Sequence, residues 1–522
     1  MHFSIIGTGV NMYSMINTST VVGIHGVRIQ VEVDVSSGMP TFEMVGYLSS
    51  EVKEARDRVR TALHNCGIVL PAKRITVNMA PANIRKTGTG FDLPIAVALM
   101  MSMEIIDEKM CQNRLFVGEL SLNGRILPVN GILPLVADAV KEGIKEFIVP
   151  RANLLEAKLV KEAKIYAFDE LSELIVFLNG GEYKEGDESE NIVEEIERTL
   201  DFSEVNGQQL LKHACEVSAC GMHNLLKVGP PGAGKTMVSE RMPTILPPLT
   251  EEEKLELSKI YSVSGRLDSR NALLDKRPFR NPHHTITRFG LTGGGKDPKP
   301  GEISLAHNGV LFLDEFTEFQ KSTIEVLRQP LEEGQIRLTR ANNSVTYPAD
   351  FLLLVAMNPC NCGYFPDAQR CQCTPNSRRR YLDKISQPLL DRIDICVEAT
   401  ALSYNDIMSK SKNETSAEIR NRVIACHEIE KERYIKEEFN YNSQIPAALI
   451  DEYCFLGEKE RAYMEKMFEK MNLTARTYHK TLRVARTIAD MQEEKEIKLS
   501  HLNEAICFRS ITDKYWGGKN EI

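Results

Sequence analysis

The stretch Gly229-Pro-Pro-Gly-Ala-Gly-Lys-Thr236 limits what this chain can fold into more than any other. It has the form G-x-x-x-x-G-K-T, follows an apolar run (Leu225, Leu226, Val228) and precedes Met237-Val-Ser-Glu-Arg. A strand turning through a glycine-rich loop into a helix offers backbone N–H groups and the positive end of a helix dipole to a phosphate. Gly229, Pro230, Pro231, Gly232, Ala233 and Gly234 are therefore expected to wrap the phosphates of ATP. Lys235 would neutralise the β- and γ-phosphates, and the Thr236 hydroxyl would ligate Mg²⁺.

Further along, Val310-Leu-Phe-Leu reads as a buried parallel strand ending in Asp314 and Glu315. After a complete phosphate loop, that pair is expected to divide the labour: Asp314 holds Mg²⁺ through water and Glu315 polarises the attacking water. Phe351-Leu-Leu-Leu-Val-Ala-Met357 is a further core strand, and Asn358 at its end stands where a γ-phosphate sensor is expected. Gln335–Arg340 and Ser344–Tyr347 flank Ala341-Asn-Asn343 and predict a β-hairpin.

Composition constrains the partners. Hydrophobic residues are 42% of the 522 and charged ones 26%, ordinary for a globular chain of about two or three domains. The net charge of −8 argues against coating a duplex through the whole surface, so any nucleic acid would bind locally, in a loop or channel. The N-terminus, Met1-His-Phe-Ser-Ile-Ile-Gly, lacks the basic and long apolar stretches of a signal peptide, and no apolar run is long enough to span a bilayer. A cytoplasmic location without membrane partners is expected. There the 12 cysteines would stay reduced. Cys360, Cys362, Cys371 and Cys373 form two close pairs that suit a tetrahedral Zn²⁺, with unligated thiols as the alternative. The adjacent His283 and His284 should diverge, and are read as structural or phosphate-proximal.

The front of the chain has its own character. Val27–Val35 alternates apolar and polar residues, predicting a strand with one buried face, and Val52, Ala55, Val59, Ala62 and Leu63 predict a helix from Ser50 to Asn65. Arg74–Pro81, Leu115–Leu122 and Phe147–Val149 read as strands, and Phe91–Met103 and Asn130–Gly143 as helices. Val117-Gly-Glu-Leu-Ser-Leu-Asn-Gly-Arg-Ile-Leu-Pro-Val-Asn-Gly131, with Ile148-Val-Pro150, resembles the proteolytic domain of Lon proteases. That family cuts peptides with a Ser–Lys dyad. Its serine belongs in the loop Lys86-Thr-Gly-Thr-Gly-Phe-Asp-Leu-Pro94, which has none, and its lysine belongs where Ile132 and Leu133 stand. The resemblance implies a kept fold without proteolysis.

An acidic linker is expected over 179–198, with a short helix from Ile192 to Leu200, and a helix from Asp201 to Ala219 ahead of the phosphate loop. Leu249–Ser264 reads as a charged amphipathic helix, Ala417–Glu437 as charged helices and Glu458–Ile511 as a helical bundle. Domains are thus expected at 1–178 (α+β, Lon-protease-like), 199–400 (α/β ATPase core, a parallel sheet with flanking helices) and 401–522 (helical lid).

The order of phosphate loop, Arg277-Pro-Phe-Arg-Asn-Pro-His-His284, Gly301–Glu315, Leu327-Arg-Gln-Pro-Leu-Glu332 and Asn358-Pro-Cys-Asn-Cys-Gly363 resembles the Mg-chelatase-like AAA+ ATPases of the ComM/YifB type over nearly the whole chain. Asn281 and Asn361 depart from the family's usual alanine and proline. The resemblance implies a hexameric ring that acts on single-stranded or branched DNA, promoting branch migration in homologous recombination and natural transformation. A protein-remodelling machine is the alternative, with DNA-stimulated ATPase activity as the discriminator. It also implies that Arg392, in Leu389-Leu-Asp-Arg-Ile-Asp394, is an arginine finger reaching a neighbour's γ-phosphate. Arg476 matches the lid's second sensor, reading nucleotide of its own chain, with Arg483 the other candidate for that role.

Overall fold

The computed structural model describes residues 12–185, 200–268, 272–340, 343–401 and 413–516. The expected helix over 192–200 lies almost wholly outside them, as do much of the acidic linker and the start of the lid.

The front of the chain is a seven-stranded mixed sheet covered by helices. Its strands run in the order Thr41–Val45, Arg74–Ala80, His25–Ser36, Met12–Val22, Arg114–Phe116, Glu146–Pro150 and Lys164–Phe168. Alternation in His25–Ser36 places Ile29, Val31, Val33 and Val35 in the core. The helix Ser50–Asn65 starts where the Ser49 hydroxyl accepts the Val52 N–H, and it buries the five predicted apolar residues. The strand expected over Leu115–Leu122 is broken in two. At Gly118 the backbone turns aside to exchange hydrogen bonds with Gly90 and Leu93, and the chain then forms a small hairpin of Glu119–Leu120 with Ile126–Leu127. The edge strand Lys164–Phe168 and the helix Leu171–Leu178 carry no alternation clear enough to predict them.

The central core is a five-stranded sheet, parallel throughout, in the order Phe279–Arg280, Val310–Leu313, Leu352–Met357, Leu225–Val228 and Ile395–Glu398. Val310–Leu313 and Leu352–Met357 are continuous apolar runs, and Leu225–Val228 is interrupted only by the buried Lys227, as befits a sheet covered on both faces. The helix expected from Asp201 begins at Gln209, because Asp201 caps a short 3₁₀ turn first. The predicted hairpin forms, Gln335–Arg340 pairing with Asn343–Pro348.

Two joints hold this core to the rest. On the front side, the helix Glu251–Ser264, opened by a Thr250/Glu253 capping box, packs on the front domain's helix Ile132–Lys141. The buried carboxylate of Glu156 accepts the Leu133 N–H and the Ser262 hydroxyl, tying the two helices together. On the other side, the C-terminal helices Ser416–Arg433, Ala475–Met491 and Leu499–Trp516 pack on the core. Leu499–Trp516 lies along the edge strand Ile395–Glu398, where Lys514 Nζ reaches Glu398 at 2.7 Å. Lys480 Nζ of Ala475–Met491 pairs with buried Asp394 at 2.7 Å. No helix among the described residues is long and apolar enough to cross a membrane.

His223 sits inside the second joint, fully buried and hydrogen-bonded through Nε2 to the Thr487 hydroxyl at 2.8 Å. Burial pushes its imidazole down to about 4, with Asp394 opposing and Lys480 and Arg483 adding to the fall. The fold favours the neutral ring, so the unfolded chain takes up the proton first as pH drops below the ordinary value of 6.5. The stability is fully present above that value and is lost between it and about 4, on the order of 3 kcal/mol for this group. His427, pushed down to about 4 by burial as well, adds in the same sense. Denaturant midpoints measured between about pH 7 and pH 4 should therefore fall, and His223→Gln should flatten part of that fall.

Candidate functional site

Parallel strands gather at one edge everything that follows them in sequence. The phosphate loop leaves Leu225–Val228, Asp314 and Glu315 leave Val310–Leu313, and Asn358 leaves Leu352–Met357, all at the same edge. They line one cavity of about 450 Å³ formed by Pro231–Met237, Asp314, Glu315, Met357 and Asn358. Gly232 and Gly234 have φ of 75° and 76°, a left-handed backbone that a side chain would resist, and Gly234 directly precedes the helix Lys235–Ile245.

Thr236 Oγ1 donates to Asp314 Oδ2 at 2.6 Å, which brings together the two groups expected to hold Mg²⁺. All three Lys235 Nζ hydrogens find acceptors: Gly229 O at 2.7 Å, Pro230 O at 2.8 Å and Asn358 Oδ1 at 3.3 Å. Burial pushes this ammonium down to about 8, with Asp314 opposing. An amine held over the loop's own carbonyls, with its charge under pressure from burial, suits a polyanionic ligand. Glu315 is exposed, and its φ of 49° turns its carboxylate out of the strand direction. His284 Nδ1 lies 3.5 Å from Glu315 Oε2. The two histidines do not diverge as expected: their rings sit 4.1 Å apart, and only the contact with Glu315 brings His284 near the phosphate pocket. A histidine beside the acid expected to polarise water is a feature that motif matching alone did not assign.

Arg392 lies at the opposite edge of the sheet. It just precedes the strand Ile395–Glu398, whose first residues hydrogen-bond to Asn224, the residue ahead of the phosphate-loop strand. The strand between Asn224 and the loop puts roughly 15 Å between this edge and the phosphates. Here Arg392, Arg476, Lys480 and Arg483 line a second cavity of about 550 Å³ together with Glu332. Arg392 Nη2 is 2.5 Å from Glu332 Oε1, and Arg476 donates to the same oxygen. Both arginines hold the Glu332 carboxyl below its usual range, Arg392 more strongly. Arg476 and Arg483 therefore stand at this edge, with their own phosphate loop beyond the strand Leu225–Val228. The cause is local, since the Lys480–Asp394 pair turns this face of the helix toward the far edge of the sheet. Glu332 ends the motif Leu327–Glu332 without a role given to it there, and Lys480 lies in none of the motifs. Only their positions beside the two arginines disclose them.

The four cysteines converge as predicted. Cys360, Cys362, Cys371 and Cys373 place their sulfurs within 4.8 Å of one another, with Cys360 Sγ 3.3 Å from Cys362 Sγ and 3.7 Å from Cys371 Sγ. A tetrahedral ion about 2.3 Å from each sulfur sets them about 3.8 Å apart, so the thiols fit Zn²⁺. The knuckle abuts the phosphate loop. A Cβ at Gly363 would come within 2.7 Å of Pro231 Cδ, so only glycine lets the two segments approach this closely.

In the front domain, Ile132 and Leu133 are buried in apolar packing where a Lon-like lysine would stand. The Thr89 hydroxyl donates to Glu119, and Lys86 is buried with its amine on Pro81 O.

Three family models match the chain: "Magnesium chelatase, subunit ChlI" over residues 201–407, "Subunit ChlI of Mg-chelatase" over 31–153, and "Magnesium chelatase, subunit ChlI C-terminal" over 413–509. Uncharacterized protein YifB of Salmonella typhimurium is 40% identical over 500 residues, covering 95% of this chain and 97% of its own length. Competence protein ComM of Haemophilus influenzae is 40% identical over 496 residues, 94% of this chain and 96% of its own. Lon protease 2 of Bacillus subtilis is 30% identical over 165 residues, 29% of each chain. With relatives of this identity aligned along almost its entire length, the chain belongs to the ComM/YifB-type family of Mg-chelatase-like AAA+ proteins.

Proposed function

We propose that the chain is an ATP-hydrolysing ring motor that acts on DNA. Its family implies ATP and Mg²⁺. The observation that carries the reading is a separation. Lys235, Thr236, Asp314, Glu315 and Asn358 share one pocket, while Arg392 stands at the other edge of the same sheet. Phosphoryl transfer needs a positive group against the charge that develops on the γ-phosphate. Arg392 cannot supply it to its own chain, so a neighbour's Arg392 completes the site and the working form is a closed assembly, a hexamer by the family resemblance.

Within one chain the roles follow from chemistry. The loop amides and Lys235 bind and orient the phosphates, and Asn358 stands beside the γ-phosphate. Thr236 and Asp314 would hold Mg²⁺, which supplies charge neutralisation when bound. Glu315 takes up the proton of the attacking water, with His284 holding its carboxylate at the rim. Lys235→Ala should lose nucleotide binding, whereas Glu315→Gln should bind ATP without turning it over. Mixing Arg392→Ala chains with Glu315→Gln chains should restore part of the rate, because some interfaces then hold both intact groups. No recovery would mean that the arginine acts within its own chain.

The DNA reading is supported by the competence role in the name of the Haemophilus relative, which aligns with 94% of this chain. ATP turnover by the full chain is expected to rise with single-stranded or branched DNA. A rate indifferent to DNA would favour a machine that remodels proteins.

The cysteine knuckle is proposed to hold a structural Zn²⁺ that fixes the segment after Asn358 against the phosphate loop. Protein purified without chelator should contain about one zinc per chain by elemental analysis, and Cys371→Ser should lower that content. A metal-free chain under those conditions would leave the cysteines as unligated thiols.

A further inference from the structure

In the second cavity two arginines share one carboxylate oxygen. Arg392, Arg476, Lys480 and Arg483 line it, with Glu332, Glu333, Asp350 and Asp394 as the acids. Asp394 is committed to Lys480 at 2.7 Å and to the Asn224 N–H at 2.9 Å. Asp350 accepts from Gln444 Nε2 at 3.3 Å, and burial raises its carboxyl. Glu333 turns to Arg337 at 3.9 Å and accepts from Gln329 Nε2 at 3.1 Å, so Glu332 answers both Arg392 and Arg476, and it does so through a single oxygen, Oε1.

We propose that Glu332 stands in the place of the terminal phosphate of a nucleoside triphosphate held by an adjacent copy of this chain, and that the phosphate must displace it. The inference rests on Arg392 acting on a neighbour's nucleotide. Three features of the site support displacement over permanent orientation. The side chain of Arg392 is 7% exposed and fixed, whereas that of Glu332 is 44% exposed and free to swing into water. The Nε of Arg392 is buried without a hydrogen-bond partner among the described residues, so the guanidinium has unused donor capacity. A terminal phosphate offers three oxygens and can engage that nitrogen, Nη2 and Arg476 together, which one carboxylate oxygen cannot. Finally, a carboxylate and a phosphate on the same guanidinium face repel each other, so the two occupants exclude one another. The chain's own phosphates lie beyond the far end of the Leu225–Val228 strand, so the incoming phosphate belongs to a second copy.

Glu332 thereby couples ring closure to the presence of ATP in the neighbour. In the isolated chain it neutralises the arginines, and only a ligand with a terminal phosphate outcompetes it.

The test uses the full chain in the Glu315→Gln background, where bound ATP is not consumed. Light scattering or sedimentation gives the chain concentration at half-maximal assembly, with ATP and with ADP. Glu332→Gln, of nearly equal shape but uncharged, should lower that midpoint with ATP by about fivefold or more, the usual range for coupled binding. With ADP the midpoint should not move, which a merely structural role would not predict. Glu332→Asp, which keeps the charge on a shorter arm, should give a smaller shift in the same direction and serves if glutamine disturbs the fold. A midpoint unchanged or raised in both variants overturns the proposal, as does an equal shift with ADP. Arg392→Ala in otherwise wild-type protein separates the two levels. If it leaves ATP turnover intact, the reading of Arg392 itself falls. If it stops turnover while Glu332→Gln leaves assembly unmoved, only the displacement falls.

Discussion

One strand, Leu352–Met357, sets the geometry on which the phosphate-loop pocket depends. It pairs in parallel with the phosphate-loop strand on one side and with Val310–Leu313 on the other. That interposition opens a crevice between the loop and Asp314, and the strand's own C-terminal end fills the crevice with Asn358. The 2.6 Å bond between Thr236 and Asp314 is the consequence, since the helix after the loop leans across the intervening strand to meet the acid. With every strand parallel, residues that follow strands collect at one edge and residues that precede them collect at the other. Lys235 and Glu315 fall on the first edge, Asn224 and Arg392 on the second. The separation of the phosphate-loop residues from Arg392 is thus written into the sheet order before any side chain is chosen.

The front domain is joined to this core through the helix Ile132–Lys141, the segment where a Lon-like enzyme would need its basic side chain. Here the position is apolar. Ile132 and Leu133 pack inside, and the neighbouring Glu156 spends its acceptors on the Leu133 N–H and the Ser262 hydroxyl. Burial raises the Glu156 carboxyl, offset by these hydrogen bonds. A buried acid with satisfied oxygens on both sides of a joint specifies one docking geometry, because any other would strand it in an apolar setting. Ser262 ends the helix Glu251–Ser264, and the chain runs on from there to Arg277, which bonds Glu253 of that helix, and to His284 beside Glu315. The nucleotide pocket and the front domain therefore share a continuous stretch of chain.

Much of this was legible in the sequence, for physical reasons that differ by element. The phosphate loop, the two buried core strands and the helix from Ser50 each announce themselves locally, through glycine placement, unbroken apolar runs or a helical repeat ending in a cap. The four cysteines were legible because thiols that close in sequence remain close in space. What stayed hidden depends on pairing between distant segments. The break at Gly118 exists because Gly90 and Leu93 capture its backbone groups, and nothing near Gly118 says so. The edge strand Lys164–Phe168 is short and gains its order from the strand beside it. The stacking of His283 on His284 and the approach to Glu315 depend on a loop whose course is set by the core, not by the two residues themselves.

Arg476 shows the limit of a local reading, because a motif context places a residue on a helix but not the direction in which that helix presents it. The helix Ala475–Met491 could present a different face to the core at small cost if apolar packing alone held it. Ionic contacts remove that freedom. Lys480 Nζ meets Asp394 at 2.7 Å, and Arg433 Nη2 from the helix Ser416–Arg433 meets Asp490 Oδ1 at 2.5 Å, with Lys480, Asp394 and Asp490 all buried. Buried pairs of this kind add little net stability, because the desolvation of two charges offsets most of their attraction. Breaking one leaves an uncompensated charge and costs about 3–5 kcal/mol. A rotation of the helix that pointed Arg476 at its own phosphate loop would take Lys480 away from Asp394 and pay that penalty. The pairs therefore act on specificity more than on stability. They select the rotation that aims Arg476 at Glu332 and places it beside Arg392, one turn of helix from Lys480, so that the lid and the core present their arginines together at the edge a neighbouring chain would meet.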